Sequence, residues 1–483
     1  MAGAGNGDSM QHRSELALGV FSRLTGVRLA IAGLAFAMAG GGGAGAETIG
    51  DALKKAYFNN PDINQQRAAV RATDENVPKA RSGYLPTVNA EADAGLQILD
   101  LQSGGSAGAP PGTISTRPRG YGVTVNQNLW NGNRTINGLR QAESGVMAAR
   151  EQLRFTEQSV LLDGVTHYMD VLRDTAILSL DRNNTDVLSE QLRQTRDRFT
   201  VGEVTRTDVA QAEASLAGAQ ATALTAQANL QTSIANYRQT IGEDPKNLSP
   251  VRPLTRPLPR TLAEGISIAY VEHPGITAAL HGVDVAALNV KINEGALYPT
   301  LGVTGQIGQR YDFSNQPGTR GLTASLVGQL TIPLYEGGAV YAGTRQAKEQ
   351  LGQQELAVDL QRNRVRAAVV SAWGATQASN GVIRSSKAQV AAAEVALAGV
   401  REEAKVGQRT TLDVLNAQQT LLNARVGLVT AEHDQVVSSY ALLSAVGRLS
   451  TANLGIALAQ YDPKVHFNQV KDKWFGLRTP DGR

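Results

Sequence analysis

The chain has no cysteine. That absence excludes disulfides, thiolate metal sites and cysteine nucleophiles together. It also excludes acylation of an N-terminal cysteine. Histidine is scarce and scattered, at positions 12, 167, 273, 281, 433 and 466. None has a second histidine three or four residues away, so no metal site is expected. No glycine-rich phosphate loop and no Gly-x-Ser-x-Gly elbow occurs. The sequence gives no reason to expect an enzyme or a cofactor. A formal net charge of +3 is too small and too diffuse for a nucleic-acid partner. Beyond the first 46 residues no window approaches the ~18 apolar residues of a membrane-spanning helix.

The first 46 residues are themselves informative. Arg23 and Arg28 precede an apolar run from Leu29 to Ala39, and Ala44-Gly45-Ala46 follows a glycine stretch. This is the layout of a secretory signal peptide over residues 1–46, with the mature chain starting near Glu47.

The rest of the chain is organised around a short stretch that occurs twice. Val201-Gly202-Glu203-Val204-Thr205-Arg206-Thr207-Asp208-Val209 returns as Val406-Gly407-Gln408-Arg409-Thr410-Thr411-Leu412-Asp413-Val414. Each copy lies where one long helical pattern ends and another begins. The glycine suits the left-handed conformation that closes a helix. The Thr three residues before the Asp suits a capping box that opens the next one. Each copy therefore reads as the tip of a long helical hairpin.

The doubling extends to Arg140-Gln141-Ala142 with Arg345-Gln346-Ala347, Tyr168 with Trp373, and Asn60-Pro61-Asp62-Ile63 with His273-Pro274-Gly275-Ile276. The expected organisation is a first repeat over 47–249, a Pro-rich extended linker over 250–260, a second repeat over 261–447 and a tail over 448–483. The first copy carries a longer loop, the Gly/Ser/Pro-rich run from Ser103 to Pro118.

Period-two alternation opens each repeat. Val88, Ala90, Ala92, Ala94, Leu96 and Ile98 alternate with polar residues and Gly95, predicting one strand over about 86–100. Further strands are expected over about 119–130, 300–310 and 321–334. Two structures fit this alternation equally: membrane-barrel strands and a soluble sandwich. Four strands cannot enclose a lumen, so the membrane alternative needs several chains in one barrel, with Glu91 and Asp93 facing its water. Helical hairpins are expected over about 133–242 and 337–446. Their first arms are seamed by Leu161, Val165, Tyr168 and Leu172, and by Val365, Val369 and Trp373. A short helix over 48–59 and a second, capped by Asn60 and kinked at Pro78, precede the first strand.

At the tips, Asp208 and Asp413 have two readings. A ring of such carboxylates attracts cations to a pore; an aspartate here also completes a capping box. Capping is the better account of Asp208, and both stand for Asp413. Arg409 either bonds a neighbouring helix and holds a tip shut or is a solvated turn residue; physics alone favours the latter.

The two repeats, the paired tips and the Ser82-Gly83-Tyr84-Leu85-Pro86 approach to the first strand resemble the TolC family of outer-membrane channel proteins. The resemblance covers residues 47–447. It implies an α+β homotrimer, with three chains sharing a 12-stranded outer-membrane barrel continued by a periplasmic α-helical barrel. It implies passive export for a tripartite efflux pump or type I secretion system. The partners implied are a periplasmic membrane-fusion adaptor, an inner-membrane RND or ABC transporter and outer-membrane lipid. Val201, Gly202, Thr205, Val406, Gly407 and Thr410 are then the adaptor-docking tips, and Arg409 and Asp413 belong to the entrance. The family's second entrance aspartate is Asn416 here, which predicts a weaker cation block. Asn128 stands where the second repeat keeps the usual proline, Pro333. The competing expectation is a periplasmic coiled-coil adaptor or scaffold without a barrel.

Overall fold

Thr48 opens the first helix, its side chain accepting from the Asp51 N–H, and α1 runs over Ile49–Asn59. The computed structural model describes residues 46–101, 112–255, 257–314 and 316–482. The expected signal peptide, apart from Ala46, and residues 102–111 of the lengthened loop lie outside that set.

Asn60 caps α2 (Pro61–Asp74), its carbonyl oxygen accepting from Asp62 N at 2.8 Å. The kink expected at Pro78 is a one-residue interruption: α2 ends at Asp74, Glu75 keeps right-handed helical angles (φ −69°, ψ −10°), and α3 covers Asn76–Arg81. The ring of Pro78 has no N–H for the carbonyl of Asp74, four residues back, and crowds it; Lys79 N donates to Glu75 O at 3.3 Å, so the helical path continues past it.

A 3-10 turn at Ser82–Tyr84 leads into β1 (Thr87–Ala94). The single strand expected to residue 100 is interrupted at Gly95-Leu96. Gly95 N donates to Pro118 O at 2.8 Å, and β2 (Gln97–Leu101) pairs only with β3 (Gly112–Thr116). Alternation is blind to this change because it records the face of a side chain, not the pairing partner. The lengthened loop forms its own two-stranded sheet.

The main sheet joins β1 to β4 (Arg119–Trp130), β5 (Thr300–Tyr311) and β6 (Arg320–Thr331), in the order β1-β4-β5-β6, all antiparallel. Its register aligns Ala90, Val123, Ile307 and Ala324 across one face, and Glu91, Gly122, Gly308 and Thr323 across the other. β6 stops before Pro333, which has no N–H for a ladder. β4 has Asn128 at the matching place and continues to Trp130 through a bulge at Leu129.

Four long helices carry the chain away from the sheet: α4 (Arg134–Thr200), α5 (Arg206–Ile241), α8 (Ala339–Lys405) and α9 (Thr411–Ala445). The 67 residues of α4 span roughly 100 Å at 1.5 Å per residue. The return helices are about half as long. Beyond them α4 packs on α2, α3 and α7 (Pro274–Glu294), and α7 packs on α8. Four helices therefore run side by side at every level: α2–α3, α4, α7 and α8 near the sheet, then α5, α4, α9 and α8 toward the tips.

The core lies at the middle of this assembly. Leu161, Val165 and Tyr168 of α4 meet Leu53 of α1, Tyr237 and Ile241 of α5, Ala269 of α6 (Leu262–Glu272), Val365 and Val369 of α8 and Leu443 of α9. Each fully buried aliphatic chain there contributes about 1.5–3 kcal/mol. The Tyr168 hydroxyl is 2.7 Å from Glu47 O and 2.8 Å from Ser249 O, tying the ends of the first repeat together. The extended 250–260 segment packs Val251, Leu254 and Leu258 on this core. Leu254 N donates to Ser439 Oγ at 3.1 Å.

After Gly447 the chain folds back along α2. Tyr461 stacks under Arg67 and α10 (Pro463–Val470) sets His466 2.9 Å from Asp74.

Candidate functional site

The two hairpin tips are built alike. Gly202 and Gly407 hold φ of 81° and 79°, a region open to glycine at little cost. Glu203 N donates to Arg198 O at 3.0 Å, and Gln408 N to Glu403 O at 2.9 Å. These bonds satisfy the last carbonyls of α4 and α8. Thr205 N donates to Asp208 Oδ2 at 2.8 Å and Thr410 N to Asp413 Oδ2 at 2.9 Å. Asp208 N and Asp413 N donate in return to the threonine hydroxyls. Both capping boxes are complete.

The Thr205 hydroxyl holds the Asp208 carboxyl below the usual carboxylate range. The Thr410 N–H, then its hydroxyl, do the same for Asp413. Both tips thus carry an ionised carboxylate at neutral pH. Val201 and Val406 are 70% and 72% exposed, so each tip presents an apolar side chain with no internal surface to cover it.

Arg409 makes an ion pair, but within its own hairpin: Nε is 2.8 Å from Glu403 Oε2. The first tip has the same clasp with the charges exchanged, Arg198 Nε lying 2.9 Å from Glu203 Oε2. Sequence reasoning missed Arg198, Glu203 and Glu403. The signal was available, because the 205-residue shift sets Arg198 opposite Glu403. Further up, Arg196 donates to Glu213 and Arg401 to Gln418, an equivalent cross-strap in each hairpin. Asn416 is exposed, on the first turns of α9. Between the hairpins a groove of about 810 Å³ is lined by Glu190, Gln194, Arg198, Arg401, Glu402 and Lys405 among others.

The sheet is the second candidate surface. Glu91 and Asp93 share its polar face, and Asp93 lies 3.4 Å from Arg310. On the opposite face Val88, Tyr121, Ile307, Leu322 and Leu326 are all more than half exposed. Among the described residues no element covers either face. At the helix end of the strands sit exposed aromatics: Tyr84, Trp130, Tyr298 and Tyr335. Gly132 closes this junction at φ 68°, where a Cβ would stand 2.1 Å from Gly295 O.

Among the described residues no group of His, Cys, Asp or Glu is arranged to hold a metal ion. No described helix is long and apolar enough to cross a membrane.

Comparison with known proteins gives a consistent result. The profile of the outer membrane efflux protein family matches residues 52–243 and 265–448. The chain is 43% identical over 437 residues to the outer membrane efflux protein BepC of Brucella suis biovar 1, covering 90% of this chain and 93% of that one. It is 26% identical to the alkaline protease secretion protein AprF of Pseudomonas aeruginosa, over 67% of this chain and 68% of that one. Among solved structures, the CmeC outer membrane channel of Campylobacter jejuni matches with a TM-score of 0.75 at 16% identity, covering 88% of this chain and 89% of that one.

Proposed function

The chain belongs to the outer membrane efflux protein family and is an outer-membrane exit duct, and from that premise we propose how its surfaces divide the work. Three copies share one barrel, each giving β1, β4, β5 and β6, for twelve strands. The four helices at every level become a tunnel of twelve. The apolar face with Tyr121, Ile307 and Leu326 meets lipid; the face with Glu91 and Asp93 meets the water of the lumen. The observation that carries this reading is a four-stranded sheet exposed on both faces, apolar on one and polar on the other. A soluble scaffold buries such a face in a core, and among the described residues nothing is placed over it.

Residues 1–46 act as the export signal. The tips point away from the membrane, where Val201, Gly202, Thr205, Val406, Gly407 and Thr410 meet a periplasmic adaptor. An RND or ABC transporter of the inner membrane delivers the substrate. Asp413 and Arg409 stand at the entrance, with Asn416 weakening its acidic character and Asp208 serving its cap. Conduction is passive and needs no catalytic group.

Planar-bilayer recording tests the reading. Purified protein is expected to form discrete cation-selective channels and to stay with membranes in alkaline carbonate. No conductance, together with release by carbonate, would falsify it and favour the adaptor or scaffold alternative.

A further inference from the structure

The tail from Lys471 onward is not used by the duct. It carries three exposed large apolar side chains within four residues: Trp474 at 76%, Phe475 at 74% and Leu477 fully exposed. These side chains are not loosely placed. Val470 is buried at the end of α10, and Asp472 pairs with Arg81 in the last turn of α3. Lys473 Nζ donates to Arg478 O at 2.6 Å, closing a turn in which Gly476 adopts φ 104°. The Trp474 and Phe475 rings meet edge to face at 4.9 Å. Pro78, Ser82 and Leu85 line the hollow against which this turn rests. Leu85 is two residues before β1, so the apolar group lies where the strands begin.

Charge completes the pattern. Lys471, Lys473 and Arg478 flank the three apolar side chains in sequence, Arg81 and Asp472 neutralise each other, and the hollow beside the turn adds Lys79 and Glu75, which offset each other. We infer that residues 471–478 are an interfacial anchor, seating Trp474, Phe475 and Leu477 in the periplasm-facing leaflet and their cations among anionic phospholipid headgroups. Trp belongs at such an interface because its ring is amphipathic. Lys and Arg rims extend their charged heads into the headgroup layer. The anchor extends the contact that the apolar sheet face makes with the same bilayer, and it rests on the barrel reading. It gives a chain without cysteine a second hold on the membrane next to the barrel.

The absence of cysteine makes the test clean. Full-length Phe475→Cys and, separately, Leu326→Cys are labelled with a fluorophore and reconstituted in vesicles of phosphatidylethanolamine and phosphatidylglycerol. Lipids with nitroxides near the headgroup are expected to quench the Phe475→Cys label at least about two-fold more than lipids labelled deep in the chain, as an interfacial site requires. Added Lys473→Gln and Arg478→Gln, or vesicles of phosphatidylcholine alone, are expected to weaken that quenching. The anchor is overturned if the label at 475 is quenched by aqueous iodide and not by lipid, which means a solvated tail. Shielding from both quenchers, which means a second copy covers it, overturns it equally. The label at 326 separates the two readings. Lipid quenching there with none at 475 sinks the anchor alone, and none at either site sinks the barrel.

Discussion

Arg409 and Glu403 hold the second tip in one shape because a guanidinium and a carboxylate 2.8 Å apart fix the loop against the last turn of α8. Exposed pairs are individually weak because water screens them. Their effect is therefore on the geometry of the tip, the entrance in the function proposed above, not on fold stability. Arg409→Ser and Glu403→Gln are each expected to raise single-channel conductance, and the double variant to match either single one. Conductance unchanged in all three returns Arg409 to a solvated turn residue. Asp413 has two roles that one pair of substitutions separates. Asn keeps an oxygen for the cap but removes the charge, whereas Ala removes both. Asp413→Asn is expected to shift the block by multivalent cations to higher concentration with little loss of local order. Asp413→Ala adds faster amide exchange over 410–414, because the Thr410 N–H loses its acceptor. An identical block curve for Asp413→Asn leaves capping as the residue's whole function.

The elements were legible where a local period defines them. Long uninterrupted 3.6-residue patterns, left-handed glycines and Thr-x-x-Asp capping signals set the ends of α5 and α9, because those signals act within one turn. What escaped depends on neighbours. The β2–β3 sheet follows from partner choice, and α10 reaches α2 across most of the chain. The inter-hairpin contact on His433 is of the same kind. This residue of α9 sits with Nε2 3.0 Å from Asp170 Oδ1 on α4 and Nδ1 2.9 Å from Asp434 Oδ1. Burial disfavours its charged form, as does Arg173, but the carboxylates of Asp170 and Asp434 prevail and raise its pKa above the ordinary 6.5. A raised folded-state value means stabilisation that is complete below the unfolded pKa and lost as pH climbs through the folded one. Amide exchange over 430–437 is expected to quicken, beyond the intrinsic base-catalysed rise, as pH climbs above 6.5 toward the raised folded-state value. His433→Gln removes the excess. In the core, Tyr168→Phe removes the hydroxyl that donates to Ser249 O and leaves Glu47 O with the Ser249 N–H alone, and is expected to cost about 1–3 kcal/mol, read as a lower midpoint of thermal unfolding.

At the scale of the whole molecule, the proposed barrel is one that a single chain cannot complete. The apolar face is continuous across four strands, yet among the described residues the sheet has two free edges, β1 and β6. Unpaired edges in lipid leave backbone N–H and C=O groups without partners, each at a cost of several kcal/mol. On that proposal insertion and closure by further copies are one event, and a substitution that opposes insertion opposes assembly as well. Leu326 and Ser325 are adjacent in β6 and point to opposite faces. Leu326→Arg sets a charge against lipid, at a cost of about 2–4 kcal/mol near the bilayer midplane. Ser325→Arg sets the same charge in the lumen. The first is expected to leave monomer that carbonate extracts from membranes. The second is expected to give stable oligomer with altered ion selectivity in planar bilayers. The opposite result, with Ser325→Arg blocking assembly and Leu326→Arg tolerated, would mean that lipid touches the acidic face. Equal tolerance of both would mean that neither face meets lipid, because no other setting makes an arginine indifferent to which side of a strand it occupies.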